Sequence, residues 1–124
     1  VGGSCHAVDQ PLDAHLKPLK SVFAQGCIAA TLDELVADGA VPVPNHIKID
    51  VDGFEHKVII GARKTLADRA VRSLLIETNQ DLEEHRAMVR ELNAMGFMHD
   101  AAQVKRAERK DGFFKGVAEH VFRR

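Results

Sequence analysis

The sequence has few aromatic residues and few cysteines, and its histidines lack metal-binding spacing. Its 124 residues include no tryptophan, no tyrosine and only two cysteines. Cys5 and Cys27 form no CxxC pair, which predicts two reduced thiols, as in a cytoplasmic protein, in preference to a disulfide. The seven histidines form no HxH or HxxxH pattern. We therefore do not expect a histidine-based zinc site.

A strong charge of one sign and a long apolar run are also missing. The formal net charge is −1, with 28% of residues charged and 45% hydrophobic. Neither a nucleic acid nor a membrane surface is therefore expected as a partner. No apolar run approaches the ~20 residues that cross a bilayer, and no signal-peptide pattern is found. The length suits one domain with its own core, and we expect it in the cytoplasm.

A change of hydrophobic period between residues 47 and 62 predicts a strand followed by a helix. The strand positions are apolar at alternate residues: Ile47, Ile49 and Val51. The next apolar residues recur at helical spacing: Phe54, Val58, Ile59 and Ala62. Gly53 allows a tight turn between them, and Asp52 is predicted to cap the helix. Asp50 and Asp52 then lie at the carboxyl end of a strand, where open α/β sheets bind ligands.

Three further segments have clear patterns. Residues 71–77 form a near-continuous apolar run, which predicts a parallel strand buried on both faces and joined to the first by a right-handed crossover. Residues 81–95 carry a helical stripe, in which His85 is predicted to be a partly buried packing residue. Thr31 and Glu34 stand at capping-box spacing and predict a helix over residues 31–38, with Gly39 at its end.

The remaining segments are predicted with weaker patterns. Residues 22–30 are apolar enough for a strand, and residues 5–20 form an irregular surface segment. Residues 97–104 and 116–122 are predicted as an antiparallel pair of strands, joined by a solvated loop over residues 105–112. The fold class is therefore α/β, with parallel strands, a C-terminal antiparallel pair and helices on the faces of the sheet. The first helix is expected to bury three residues: Leu32, Leu35 and Val36.

The central stretch resembles the signature of the FkbM family. The matching residues are Lys48-Ile49-Asp50-Val51-Asp52-Gly53, Glu55 and Gly61-Ala62. Thr31-Leu32-Asp33-Glu34-Leu35 and Leu75-Ile76-Glu77 resemble two further family motifs in the same order. The family more often has Glu where this chain has Asp52. The resemblance runs from about Gln25 to the C-terminus and implies an S-adenosylmethionine-dependent O-methyltransferase with a Rossmann-like class I methyltransferase fold.

The resemblance also implies which parts of such an enzyme the chain contains. The family's first half carries a glycine-rich loop and an acidic ribose-binding residue, and neither motif occurs here. We therefore expect residues 1–124 to be a single domain, with residues 1–24 irregular, that forms the C-terminal portion of the methyltransferase domain. Such a partial sheet is expected to bind S-adenosylmethionine weakly or not at all by itself. Its open edge at strand 47–51 is expected to pair with a second copy of the chain, the alternative being that residues 22–30 fold back to cover it. The acceptor implied is a small molecule with a hydroxyl, such as a sugar or a polyketide.

Methyl transfer from a sulfonium to a hydroxyl needs positioning and removal of a proton. The predicted catalytic residues lie at the strand ends and in the following helical turn: Asp50, Glu55, His56 and Glu77. Asp50 and Asp52 are predicted to bind the cofactor, and Asp50 is expected to face Glu77. No metal is included in this site, although Asp50, Glu77 and Asn79 offer oxygen ligands for a divalent cation as an alternative. A structural alternative is that Asp52 only caps the helix, Glu55 pairs with Lys48 or another cation, and His56 is solvated.

Two other functions stay open. Asp50-Val51-Asp52-Gly53 fits the DxDG motif of haloacid-dehalogenase-type phosphatases, in which the first Asp is the nucleophile and the second the acid/base. Phe54 stands where that family has Thr or Val, and its later acidic pair for magnesium is missing. The other alternative is a non-catalytic truncated module. Release of phosphate from an aryl phosphate would distinguish the phosphatase from the methyltransferase.

Overall fold

The computed structural model describes residues 10–13, 15–20 and 23–124. Five helices and four strands occur in these ranges. In chain order they are α1 (Leu32–Ala37), β1 (His46–Ile49), α2 (Glu55–Ile60), α3 (Arg63–Ala67), β2 (Ser73–Asn79), α4 (Glu83–Ala94), β3 (Met98–His99), α5 (Ala101–Ala107) and β4 (Val117–Arg123). The α/β class predicted from the sequence is confirmed.

The four strands form one mixed sheet in the order β1-β2-β4-β3. β1 and β2 are parallel neighbours, with Ile49 opposite Ile76. β4 runs antiparallel along the whole of β2 and also pairs with the short β3. The predicted parallel pair and the antiparallel strands beside it are therefore confirmed. In the part of the chain that the structure describes, β1 has no strand on its outer side.

The core lies on one face of the sheet, under α2 and α4. In β2 the buried residues alternate, so Leu74 and Ile76 are buried while Leu75 and Glu77 are partly exposed. Burial on both faces, as the apolar run suggested, is therefore wrong for this strand. The core contains aliphatic and aromatic residues from both strands and helices: Ile49, Ile59, Ala62, Leu66, Val71, Leu74, Ile76, Met88, Val89, Leu92, Phe97 and Phe122.

The predicted strand over residues 97–104 is mostly wrong. Only Met98–His99 is a strand, and residues from Ala101 onward form α5. Asp100 begins this helix, because its side chain accepts a hydrogen bond from the Ala102 N–H at 2.8 Å. From α5 the Gln103 side chain donates to the Glu119 carbonyl (3.0 Å) and accepts from the Val121 N–H (3.3 Å). A glutamine amide thus replaces backbone pairing along this part of β4. The predicted loop over residues 105–112 begins within α5.

The N-terminal part of the prediction has a mixed outcome. Residues 23–30 form no strand and are exposed, since no neighbouring strand pairs with them, while Val22 lies outside the described residues. Residues 10–13 and 15–20 are irregular, as predicted, apart from one isolated bridge. The other residues of the predicted irregular segment, 5–9 and 14, lie outside the described ranges.

The first helix begins and ends as predicted. The Glu34 N–H donates to Thr31 Oγ1 (3.1 Å), the Thr31 N–H donates to Glu34 Oε2 (2.7 Å), and Gly39 follows the helix with φ of +69°. Its predicted buried face is wrong, because α1 has no buried residue and Leu35 is 36% exposed. The reason is that α1 packs mainly on α3, and of its residues only Leu32, which is partly buried, packs against the central core.

The core also contains a titratable group. His120 on β4 is 1% exposed, and its ring lies 5.1 Å from that of His99 between centroids. Burial, with a smaller effect from the charge of His99, lowers the pKa of His120 from 6.5 to about 4. Protonation of His120 therefore occurs more readily in the unfolded chain than in the folded one.

We expect His120 to make the fold sensitive to acid. A lowered histidine pKa stabilises the fold above the unfolded value, and this contribution is lost as the pH falls from about 6.5 to about 4. The loss amounts to up to about 3 kcal/mol. Urea unfolding across this pH range should therefore show a shallower pH dependence in His120→Leu than in the wild type. His46→Leu, which changes an exposed histidine, is the control, and an unchanged slope in His120→Leu would contradict the prediction.

Candidate active site

A pocket of about 580 Å³ opens at the carboxyl end of β1. Three segments form its walls, namely the residues before and at the start of α1, the turn after β1, and one face of α2. The lining residues are Ala29, Ala30, Thr31, Leu32, Asp50, Val51, Asp52, Phe54, Lys57, Val58 and Gly61. The pocket therefore lies where the sequence predicted a ligand site, and most of its wall is apolar.

The α2 wall follows from the helical repeat. Phe54, Lys57, Val58 and Gly61 are three or four residues apart and so lie on one face. The Lys57 ammonium lies 5.0 Å from the centroid of the Phe54 ring. At Gly61 an added Cβ would lie 3.0 Å from Thr31 Cγ2, and the Gly61 carbonyl accepts from the Asp33 N–H at 3.0 Å. A glycine at this position therefore allows the start of α1 to approach α2 and close the pocket.

The turn after β1 has an uncommon backbone conformation. Asp52 has φ of +53° and Gly53 has φ of +103°. Such values suit glycine and are tolerated by aspartate better than by most residues. The predicted capping role of Asp52 is wrong, because Phe54 occupies the N-cap of α2 and no side chain caps it. Asp52, in this left-handed conformation, is instead one of the residues that line the pocket.

Glu55 holds this turn from the inside. Its side chain is 1% exposed, and Oε1 accepts from the Val51 N–H (3.1 Å) and more weakly from the Gly53 N–H (3.4 Å). The alternative pairing of Glu55 with Lys48 is wrong, since Lys48 pairs with Asp50 at 3.1 Å. Glu55 therefore binds two amides of the turn before the helix, while no side chain caps the first amides of α2.

His85 of α4 joins the turn to the end of β2. Its Nδ1 accepts from the Asn79 N–H at 2.9 Å, so the neutral ring carries its proton on Nε2. Nε2 lies 3.1 Å from the Gly53 carbonyl oxygen and 3.3 Å from Glu55 Oε2. His85 is 2% exposed. The sequence predicted a partly buried packing residue, whereas the ring is fully buried and polar contacts use both of its nitrogens.

Glu77 at the end of β2 has a different environment. It is the first residue after Ile76, which the register places opposite Ile49, and Asp50 is the first residue after Ile49. Burial raises the pKa of Glu77, the Arg109 guanidinium opposes this shift, and the charge of Asp50 adds to it. Arg109 lies 2.7 Å from Glu77 Oε1, and its guanidinium lies 5.1 Å from the centroid of the Phe114 ring. Glu77 is thus covered by the segment between α5 and β4.

This covering segment closes the end of β2. At Gly116, with φ of +84°, an added Cβ would lie 3.1 Å from Asp81 Oδ2. The remaining cleft contacts Glu55, Glu77 and Asn79 and has a volume of about 10 Å³, which is roughly the space of one water molecule. The two strand ends therefore differ: the end of β1 opens into a pocket, and the end of β2 is covered.

His56 lines neither of these spaces. Burial, with a smaller effect from His85, lowers its pKa. Its Nδ1 is buried and has no hydrogen-bond partner. The alternative that His56 is solvated is therefore wrong, since the ring is partly buried.

The alternative of a metal site gains no support from the geometry. Among the described residues, no three side chains of His, Cys, Asp or Glu come close enough together to hold a metal ion. Asn79, one of the proposed ligands, is 3% exposed, and its Oδ1 accepts from the Asp81 N–H at 2.9 Å. Its oxygen is thus already used within the turn after β2.

A family model described as the methyltransferase FkbM domain matches residues 22–98. The chain belongs to this family. The matched range is more than half of the chain and includes the pocket and all the predicted site residues. A search of curated proteins and a search of solved structures each found no match. None of the helices that the structure describes is long and apolar enough to cross a membrane.

The structure of this FkbM domain brings only some of the predicted residues together. Asp50 and Asp52 line the pocket, and Asp52, Glu55 and Glu77 line the small cleft. Sequence reasoning missed the pocket residue Lys57, the buried contacts of His85 and the pairing of Arg109 with Glu77. Of these, only Lys57 could have been found from the sequence pattern, because it lies three residues after Phe54 on the same helical face.

We expect Glu55→Gln to destabilise the FkbM domain. A glutamine amide cannot accept from the turn amides and face the His85 Nε2–H at once, because one of its ends is a donor. The free energy of unfolding should fall by about 1–3 kcal/mol, measured by urea unfolding. Glu108→Gln, at an exposed position after α5, is the matched control. Unchanged stability with lost methyl transfer would instead favour the predicted catalytic role of Glu55.

Proposed function

We propose that this FkbM domain is the C-terminal portion of an S-adenosylmethionine-dependent O-methyltransferase. The substrate in this proposal is a small molecule with a hydroxyl, such as a sugar or a polyketide-like compound. The observation that carries it is that the family motif, from Asp50 to Gly61, forms the pocket at the end of β1. The exposed thiol of Cys27 suits a reducing compartment, and a cytoplasmic location is part of the proposal.

The residues of the pocket fit part of the cofactor. Its volume of about 580 Å³ falls within the range of roughly 300–1,000 Å³ for small-molecule sites. The apolar wall around Val51, Phe54 and Val58 suits a flat purine ring, and the carboxylates of Asp50 and Asp52 suit ribose hydroxyls or a sulfonium cation. When bound, S-adenosylmethionine supplies an electrophilic methyl group. A glycine-rich loop for the methionine moiety does not occur in this sequence, which supports a partial site.

In this proposal, different side chains position the reactants and remove the proton. Asp50 and Asp52 bind the cofactor, and Glu55 holds the turn that carries them. Glu77 or His56 accepts the proton of the acceptor hydroxyl. The raised pKa of Glu77 moves it toward the working pH, and the lowered pKa of His56 leaves it neutral at pH 7, the form in which a base acts. Glu77 can meet an acceptor only when Arg109 and Phe114 move away from it.

We expect Asp50→Asn to reduce methyl transfer on the order of 10²-fold in the full-length protein. The change removes a charge from the pocket and keeps the shape of the side chain. Transfer of a labelled methyl group from S-adenosylmethionine to a panel of sugar and polyketide alcohols measures the effect. Asp38→Asn is the control, because Asp38 is exposed at the end of α1, outside the pocket.

Two results would count against the proposal. Equal turnover of Asp50→Asn and Asp38→Asn would remove Asp50 from the site. Release of phosphate from an aryl phosphate by the wild type, lost in Asp50→Asn, would favour the phosphatase alternative.

A separate experiment tests the metal alternative. Full methyl transfer after treatment with a chelator would exclude a required divalent cation.

We further propose that the 124-residue chain self-associates through β1. This strand lies at the edge of the sheet in the described part of the chain, and unpaired edge groups pair readily with another strand. Hydrogen exchange of the β1 amides should slow as the protein concentration rises, because association protects them. Amides of α4 serve as the internal reference and should not change. A monomer by analytical ultracentrifugation at all concentrations would contradict the proposal.

A further inference from the structure

We propose that His85 is a positioning residue for the turn of residues 50–53, and that ligand binding in the pocket depends on its Nε2–H. The inference rests on the proposed function, because it concerns the same pocket. His85 itself does not line that pocket. It acts through the backbone of the turn that presents Asp50 and Asp52.

The first step is that the turn needs support. Asp52 is a non-glycine residue with φ of +53°, and such a conformation is strained unless its surroundings hold it. Glu55 binds the two N–H groups of the turn at Val51 and Gly53. The Gly53 carbonyl is a hydrogen-bond acceptor of the same turn, and it needs a donor.

The second step is that His85 supplies the missing donor. Its Nδ1 is occupied by the Asn79 N–H, so the neutral ring has one N–H, and that Nε2–H lies 3.1 Å from the Gly53 carbonyl oxygen. The same atom lies 3.3 Å from Glu55 Oε2, a buried oxygen that has no hydrogen-bond partner. One imidazole therefore binds the carbonyl of the turn and lies beside the carboxyl group that binds its amides.

The third step is that His85 connects two elements. Asn79 ends β2, and Gly53 lies in the turn that follows β1, so the ring fixes the distance between the two strand ends. α4 supplies the ring from outside the sheet, where it packs against α2. Displacement of His85 would release the turn, and with it the two carboxylates of the pocket, while the strands stay paired.

Two substitutions separate the functions of the two ring nitrogens. His85→Asn keeps an acceptor near the position of Nδ1 and loses the donor at Nε2, whereas His85→Gln keeps a donor near the position of Nε2 and loses the acceptor at Nδ1. Each variant loses one hydrogen bond, so a purely structural residue would give similar losses of stability and similar effects on the turn in both.

The first experiment uses the chain without a ligand. The backbone amide of Val51 should exchange at least 10-fold faster in His85→Asn than in the wild type, and should stay within about twofold of the wild type in His85→Gln. Amide exchange by NMR measures this, with Ile76 in β2 as an internal reference. Equal exchange at Val51 in both variants, whether slow or fast, would overturn the role of His85.

The second experiment tests the link to the pocket. In the full-length protein, the Kd for S-adenosylhomocysteine should rise about 10-fold in His85→Asn and stay within about twofold in His85→Gln. Equal affinities in the two variants would overturn the dependence of ligand binding on Nε2–H. A wild-type protein that binds no S-adenosylhomocysteine would instead overturn the proposed function, while the amide data decide the positioning role of His85 independently.

Discussion

The buried carboxylate of Glu55 is the interaction on which the site depends. A carboxyl group with 1% exposure is costly to bury unless hydrogen-bond donors reach it. Here the Val51 and Gly53 amides donate to one oxygen, and the His85 ring lies beside the other. Because these groups belong to the turn after β1 and to α4, the cost of burying this polar group is offset only when the helix, the turn and both strand ends are in place. The geometry of the pocket is thereby tied to the packing of the core.

The same arrangement gives the two strand ends different roles. At the end of β1, the Asp52-Gly53 turn and the α2 face leave a pocket of about 580 Å³. At the end of β2, Arg109 pairs with Glu77, and Gly116 allows close contact with Asp81. Asp50 lies in the open pocket, whereas Glu77 is covered by Arg109. The two residues directly follow Ile49 and Ile76, which are paired in the sheet. Access to Glu77 therefore depends on the segment between α5 and β4, whereas access to Asp50 does not.

The sequence predicted the elements whose signals are local and failed where long-range contacts decide. The capping box of Thr31 and Glu34, the strand-to-helix change after Ile49 and the parallel pairing of β1 with β2 were all readable from spacing. The helix after Asp100 was missed, because the apolar residues around it also suit a strand and Gln103 replaces strand pairing only through a contact with β4. The contacts of His85 and Arg109 join residues 32 apart in sequence, and no periodicity reports them. The pocket itself was located only as the end of a strand, since its walls come from three segments.

The aspartate at position 52, where the family more often has glutamate, has a physical reason in this backbone. With φ of +53°, the residue lies in the left-handed region, which aspartate tolerates better than longer side chains because its short carboxylate bonds locally. A glutamate at this position would carry the same charge further into the pocket and at a higher backbone cost. Glu55, three residues later, needs the longer side chain, because its carboxylate must reach back to the Val51 amide. Asp52 and Glu55 thus differ in length because Asp52 lines the pocket and Glu55 binds the turn from within.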